Sequence, residues 1–515
     1  MIERVVAELE QRVPGLLEEH RLPGIAIGIC DADSMVWSAG FGVTRTGGLP
    51  IDGGTRFSVQ SCSKMYTATA VLLAVQQGLV ELDTPILRYL PEFRVNSSFE
   101  EHPEGRITLR HLLGHTAGFT HEAPIGSNYL IGNESFAAHC RSISETWLRF
   151  PVGHHYEYSN LGIDLAGYVL QRCAGMPFHE FVRRTLLEPL GLERTTFDAR
   201  VIARDAARAI GHSTGYKRLP VRVPMVAAGG LYTSVEDACR YLRFHLNGGE
   251  SLVSAELLAD MYRVPGRDEG YGVGVAVWPL RGVPVRGHGG GGFGFLSDMY
   301  WAPEAGVGVV VLTNSTAHPL QRQLASDILI DLLGVRSSRE SVPAPSRDGA
   351  ATPRHGAVPS AAVDGGYVGG GDQVTLSGGF LIAGESRKAV EFVSAEEFTV
   401  EGELYRLRDF DSDGRPAYLE AVKDGSVRYR NDLPDPAPAD VDGPWNRDYA
   451  IHVSGVRDGI ARLRKENGVH LFDHWNGRTV RLREHRPGLY LAANGETVDL
   501  TRTPPTYASV RLDPL

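Results

Sequence analysis

Lysine is scarce in this 515-residue chain: of 52 Lys and Arg residues only five are lysine, at positions 64, 217, 388, 423 and 465. Lys64 stands alone in the first 216 residues. Where a positive charge suffices, the chain uses arginine, whose guanidinium does not give up its proton in proteins. Position 64 therefore holds the one strongly basic side chain of that region able both to donate and to accept a proton. Cysteine is scarce as well. Cys30, Cys62, Cys140, Cys173 and Cys239 are odd in number, scattered and without a CxxC pair. That pattern argues against a disulfide frame or a cysteine zinc site and reads as the reduced thiols of a cytoplasmic protein. No run of about 18 apolar residues is present, so no membrane span is expected. The segment Met1–Leu9 is amphipathic, with no apolar signal core and no small-residue cleavage site. A net charge of -10 and the lack of a long basic run argue against a nucleic-acid partner. Hydrophobic content of 42% and charged content of 22% are those of a globular chain long enough for more than one domain.

What is present centres on Phe57-Ser58-Val59-Gln60-Ser61-Cys62-Ser63-Lys64-Met65. The stretch predicts the start of a buried helix, in which Ser61 and Lys64, three residues apart, share a face. A serine hydroxyl is a weak nucleophile until a neighbour removes its proton. A lysine does so once burial and nearby positive groups lower its pKa. The bland alternative, a helix-start serine followed by a surface lysine, is disfavoured by the rarity of lysine here. The helix continues through Gln77, apolar nearly all round and so central, until Gly78 ends it.

Two further stretches carry chemistry. In Tyr158-Ser159-Asn160, a Pro/Gly turn precedes and a helix follows. A tyrosine beside a lysine can share its proton, and an asparagine amide can fix the lysine and bind a substrate amide. A second copy of the pattern, Tyr429-Arg430-Asn431, reads as strand residues. In Arg286-Gly287-His288-Gly289-Gly290-Gly291-Gly292, a strand ends in glycines that admit a substrate backbone and expose N–H groups for an oxyanion hole. His288 could orient an acyl group or move protons. Gly287, Gly289 and Gly292 spell GxGxxG, but a strand rather than a helix follows, which excludes a dinucleotide site. His111/His115 and His154/His155 lack an HExxH companion set and read as structural or rim residues, so neither metal nor cofactor is expected. No GxSxG elbow occurs, which disfavours an α/β-hydrolase.

Along the chain, a helix over 1–20 leads to a hairpin of Ile25–Cys30 and Met35–Phe41. A short helix starts at Leu82–Pro85. Helical patterns recur near 160–173, 177–188, 234–247, 253–263 and 318–333, and strand-like runs near 271–279, 283–288, 297–302 and 307–313. Residues 1–335 thus read as one mixed α/β domain. Residues 336–362, rich in Ser, Pro, Ala, Arg and Gly, read as a linker. Residues 363–515 read as an all-β barrel or sandwich, with turns at Asp424-Gly425, Asn476-Gly477 and Asn494-Gly495.

Taken together, Ser61-x-x-Lys64, Tyr158-x-Asn160 and His288-x-Gly290, in that order, resemble the serine hydrolases related to class C β-lactamases and D-Ala-D-Ala carboxypeptidases. Leu22-Pro23-Gly24-Ile25-Ala26, the Ile107–Gly118 segment and Ala228-Gly229-Gly230-Leu231-Tyr232-Thr233-Ser234 agree. The tail is similar to the lipocalin-like β domain of D-aminopeptidase-like members. The resemblance implies a β-lactamase/transpeptidase-like α/β fold: an antiparallel sheet flanked by helices, and a helical region over about 85–230, with Ser61 between them. It further implies Ser61 as acylated nucleophile, Lys64 as base, Tyr158 as proton shuttle, Asn160 as positioner and His288 on the strand beside the site. Gly290 and Gly291 line that strand, and the N–H groups of Ser61 and Gly291 form the oxyanion hole. His-Gly-Gly replaces the Lys-Thr-Gly usual in β-lactamases and lies closer to the peptidase and esterase members. The implied activity is hydrolysis, through an acyl-enzyme, of a peptide with a D-residue or of a small ester or amide. Two alternatives stay open: acyl transfer to an amine or alcohol, and a penicilloyl-binding sensor with little turnover. Loops around 121–135, 210–225 and 262–270 would shape the pocket. The expected partners are a small molecule or short peptide and, as an allowed assembly, a second copy of the chain.

Overall fold

The strand Gly24–Asp31 alternates large and small: Ile25, Ile27 and Ile29 point one way, Ala26, Gly28 and Cys30 the other. Side chains of a strand alternate faces, so this pattern builds a sheet with two differently packed sides. In the computed structural model the isoleucines meet the helices Ile2–Glu19 and Leu320–Leu332 through Val5, Leu9, Val13, Leu324 and Ile328. On the small side the helix Val235–Leu246 lies close: a methyl at Gly28 would stand 2.6 Å from Cys239 Sγ and 3.3 Å from Val235.

The structure describes residues 2–334, save 98, 127–133, 214–220, 265–269, 317 and 319. It also describes 363–515, save 370–371, 384–385, 411–413, 422–426, 431–444, 454–456, 467–468, 475–478, 493–495 and 509. The linker reading of 336–362, the three tail turns and Asn431 therefore lie outside the described residues, as do parts of the three pocket loops.

The first sheet has seven antiparallel strands in the order Met35–Gly42, Gly24–Asp31, Val307–Thr313, Phe295–Ala302, Val283–Gly292, Ala276–Leu280, Gly270–Tyr271. The expected hairpin and helices are present. The run read as one strand over 271–279 is broken, because Gly272–Val275 forms a turn closed by Gly272 N–H to Val275 C=O. Gly274, at φ +75°, sits where a methyl would lie 2.4 Å from Ala68 Cβ, so the turn rests on the central helix. Leu82–Pro85 leads only to the 3-10 turn Ile86–Arg88. The helix Ser63–Gln76 is buried from Ser63 through Ala74, as an all-round apolar helix must be. It packs against helix Asn160–Ala174 and the short helix Val226–Gly229.

From residue 363 onward the described chain is all β, as expected, but it is shared between two nine-stranded antiparallel sheets. In each, the two edge strands follow one another in the chain: Ser386–Ala389 with Glu391–Phe392, and Val510–Arg511 with Asp513–Pro514. Each sheet therefore curls into a nearly closed barrel, which removes most of its exposed edge. Each has its own core, around Tyr367, Phe398 and Leu407 in one and Tyr449, Phe472 and Tyr507 in the other. Among the described residues no helix is long and apolar enough to cross a membrane.

The tight helix-on-sheet seat at Gly28 has a measurable consequence. Gly28→Val should cost the catalytic region about 1–3 kcal/mol by overpacking. Its calorimetric transition should fall by several degrees, and an unchanged transition would mean the seat is looser than described.

Candidate active site

Ser61 stands in a 3-10 turn, Gln60–Cys62, and the α-helix proper begins at Ser63. The turn is forced by what precedes it. Phe57–Ser58 pairs with Tyr232–Thr233, and Val59 N–H donates to Leu231 C=O. Gln60 is held at φ +47°, a costly conformation for a non-glycine residue, with its amide donating to Ser58 Oγ at 2.6 Å. Ser63 Oγ donates to Gln60 C=O and accepts from Leu231 N–H. Ser61 is the partly exposed residue in an otherwise buried run.

The Lys64 amine meets three acceptors: Ser61 Oγ at 3.0 Å, Asn160 Oδ1 at 2.8 Å and Ala228 C=O at 3.0 Å. A neutral amine has two N–H bonds and one lone pair. Two of the acceptors cannot donate, so they take the two N–H bonds and turn the lone pair toward the Ser61 hydroxyl. Burial, working against the nearby Asp164 and Glu122 carboxylates, pushes Lys64 down from 10.5 to about 7. Near neutral pH a large fraction of it is thus the free base that proton abstraction needs.

The Tyr158 ring lies under the same amine, 4.8 Å from Nζ to centroid, and its phenol is hydrogen-bonded to Ser61. Burial pushes its pKa up, so it is a protonated donor. Ser159 caps the helix that carries Asn160: its Oγ accepts from Leu161 N–H and donates to Thr120 C=O, and its N–H donates to His115 Nδ1. Asn160 in turn donates to Glu122 at 3.4 Å.

His288 arrives on the glycine strand. Its Nδ1 donates to Gly289 C=O and its Nε2 accepts from Tyr271 O–H at 2.9 Å. Burial lowers its pKa to about 3, so it is neutral with both nitrogens engaged. Of the glycine strand, only Val283–Gly287 pairs with Ala276–Leu280, so among the described residues His288 to Gly292 have a strand partner on one side alone. There Gly290 presses on the Ser61 turn: a methyl on it would lie 2.2 Å from Val59 C=O and 3.0 Å from the Ser61 nitrogen. Glycine at position 290 is required by this approach.

All five side chains singled out in the sequence, with Gly290 and Gly291 on the adjoining strand, are gathered at one site. Sequence reasoning missed several neighbours. Tyr271 partners His288. His115, set aside as structural or rim, lies buried among Tyr156, Tyr158 and Tyr271. Glu122 and Asp164 supply the charges around Lys64. Asp164 had left a trace: an acid in the apolar helix Asn160–Ala174, one turn after Asn160. Nothing pointed to Glu496 of the second barrel, which reaches His121 at 3.5 Å, while His121 Nδ1 meets Glu122 at 2.8 Å. Burial disfavours charge on His121, but Glu122 and Glu496 carry its pKa up to about 10. Among the described residues these three alone bring metal-ligand atoms together, within 4.8 Å of one another. The His121 imidazolium stands between the two carboxylates and offsets one of their two charges, while burial raises Glu496 to about 7.

The sequence profile of the family described as Beta-lactamase matches residues 9–333. The chain belongs to the beta-lactamase family. Members of this family related to it are serine hydrolases, and this chain is an enzyme of that kind. Penicillin-binding protein 4 of Amycolatopsis lactamdurans is 26% identical over 352 residues, covering 64% of this chain and 91% of its own. The D-alanyl-D-alanine-carboxypeptidase/endopeptidase AmpH of Escherichia coli K12 is 25% identical over 346 residues, covering 63% and 87%. Among solved structures, the octameric penicillin-binding protein homologue from Pyrococcus abyssi aligns with a TM-score of 0.56 at 25% identity. It covers 83% of this chain and 98% of its own, so the likeness runs past the family match into the β region.

Because Lys64 must be neutral to accept the serine proton, acylation of Ser61 should rise with pH through about 7 and then level off. Rates of fluorophosphonate labelling across pH 5–9 measure this, and a flat profile would remove Lys64 from the base role. Gly290→Val, which drives a side chain into the Ser61 turn, should cut labelling by about 100-fold or more.

Proposed function

We propose that this beta-lactamase-family enzyme hydrolyses a peptide bearing a D-residue, or a small amide or ester, through a Ser61 acyl-enzyme. The observation that carries the reading is the Lys64 amine, held by Asn160 and Ala228 with its remaining direction on Ser61 Oγ. Lys64 takes the hydroxyl proton as Oγ bonds to the substrate carbonyl carbon. The oxyanion is met by the N–H groups of Ser61 and Gly291. Tyr158 gives its proton to the leaving amine or alkoxide and recovers one from Lys64. A water then attacks the acyl-enzyme, losing its proton to the same pair, and Ser61 leaves as the restored hydroxyl.

The peptidase direction is supported by the AmpH relationship and by a third motif, His288-Gly289-Gly290, that lacks the lysine usual in β-lactamases. Asn160 and the one-sided glycine strand suit an extended peptide, which needs amide partners along an open edge. The octameric assembly of the Pyrococcus abyssi homologue supports self-association here as well.

The test is intact-mass analysis after fluorophosphonate treatment of wild type and Ser61→Ala, with turnover of D- and L-aminoacyl p-nitroanilides and p-nitrophenyl esters. Labelling should depend on Ser61, and D-configured amides should turn over faster than their L-isomers. Full turnover by Ser61→Ala would overturn the reading. Labelling without hydrolysis, but with product formed on adding an amine, would replace hydrolysis by acyl transfer.

A further inference from the structure

Ala227 and Ala228 are suspended between two helices. Their N–H groups donate to Asp164 Oδ1 at 2.9 and 3.0 Å. Their carbonyls accept from the central helix: Ala227 C=O from Thr67 Oγ1 at 2.8 Å, and Ala228 C=O from Lys64 Nζ at 3.0 Å. Asp164 lies one turn after Asn160, so both carboxamide and carboxylate face Lys64's end of the central helix. One helix face thus sets both of the lysine's fixed acceptors, Asn160 directly and Ala228 through Asp164. On its far side Asp164 Oδ2 meets His139 Nε2 at 3.1 Å, and His139 Nδ1 meets Ile125 C=O at 2.6 Å. Both of those partners are acceptors, so both ring nitrogens must carry a proton and the ring is an imidazolium. Asp164 and His139 are wholly buried, an ion pair with no access to water.

We propose that Asp164, countered by His139, is a positioning residue of the catalytic centre that holds the Ala228 carbonyl against Lys64 and sets the lysine's affinity for its proton. A buried pair of this kind is weak as a source of stability, because desolvation offsets its attraction. Its placement accounts for it: the carboxylate is the strongest charge acting to raise Lys64's pKa, against the burial that lowers it. The other groups facing Lys64 are Glu122, Cys62, Tyr158, His115 and His288, the last two neutral. Facing Asp164 are His139, Lys64 and the Cys140 thiol.

The inference rests on Lys64 being the base of Ser61, and the experiment separates the two. The pH profile of kcat/KM, or of fluorophosphonate labelling, is measured for wild type, Lys64→Ala, Asp164→Asn and His139→Gln, with calorimetry of each. Asp164→Asn keeps an oxygen for the two N–H groups but loses the charge. Its acidic limb should move down by about 1 pH unit. His139→Gln keeps an N–H for Asp164 but leaves the carboxylate uncountered, so its limb should move up. Opposite movements would establish the proposal, and a merely structural pair would scale the rate without moving the limb. Folded variants whose limbs coincide with wild type overturn it, as does loss of the fold in both. If only one folds, the direction of its limb decides. Activity retained by Lys64→Ala would instead overturn the catalytic reading beneath it.

Discussion

The structure depends on a single buried amine with nowhere to go. Lys64 is wholly enclosed, and each of its three directions ends on an acceptor: the serine, an asparagine and a backbone carbonyl. Moving its pKa from 10.5 to about 7 means the site prefers the free base by ~5 kcal/mol relative to water. Burial supplies that preference, and burial requires the central helix to be apolar on every side. The same apolar character that places the helix in the core therefore also favours the lysine's uncharged form.

Enclosing one amine recruits distant parts of the chain. The strand that ends in glycines comes from the far side of the sheet, more than 220 residues after Ser61, and Gly290 fits against the Val59 carbonyl because it has no side chain. The Gly272–Val275 turn rests on the helix at Ala68 and passes directly into the strand facing that glycine strand. Ser297, behind Gly290, donates to Val59 C=O at 2.8 Å, so the sheet also fixes the turn that presents Ser61.

Much of this was legible in the sequence because its signals are local. Ile-Ala-Ile-Gly-Ile-Cys writes a strand, and a lone lysine three residues after a serine, in a chain that otherwise prefers arginine, marks the pair that the fold brings to 3.0 Å. Tyr158, Asn160 and His288 were legible as short motifs. Features set by long-range contacts were not. Tyr271 is an ordinary strand residue until the fold places it at His288. The division of the tail into two barrels depends on which strands pair: Val427–Arg430 pairs back to Gly365–Gly369 in the first, while Arg447–Val453 pairs with Arg457–Glu466 and Asp513–Pro514 in the second. The helix start was placed too early because the residues flanking the Gln60–Cys62 turn, Val59 and Ser63, are held by tertiary bonds to Leu231 and Ser297 rather than by propensity.

The charges around Lys64 follow a rule that no local motif encodes: each nearby carboxylate has an imidazolium beyond it. Asp164 has His139, and Glu122 has His121. A bare carboxylate a few ångströms from an amine raises its pKa by about 1–3 units, and two would return Lys64 to an ordinary ammonium, unable to act as a base at neutral pH. Backed by a histidine, each carboxylate presents a dipole whose pull is shorter-ranged, so it can orient Asn160 or the Ala228 turn without fully recharging the lysine. Glu496 is the second partner of His121, and its own pKa is pushed up by burial to about 7. Through that contact the second barrel touches the Glu122–His121 pair that lies beside Lys64.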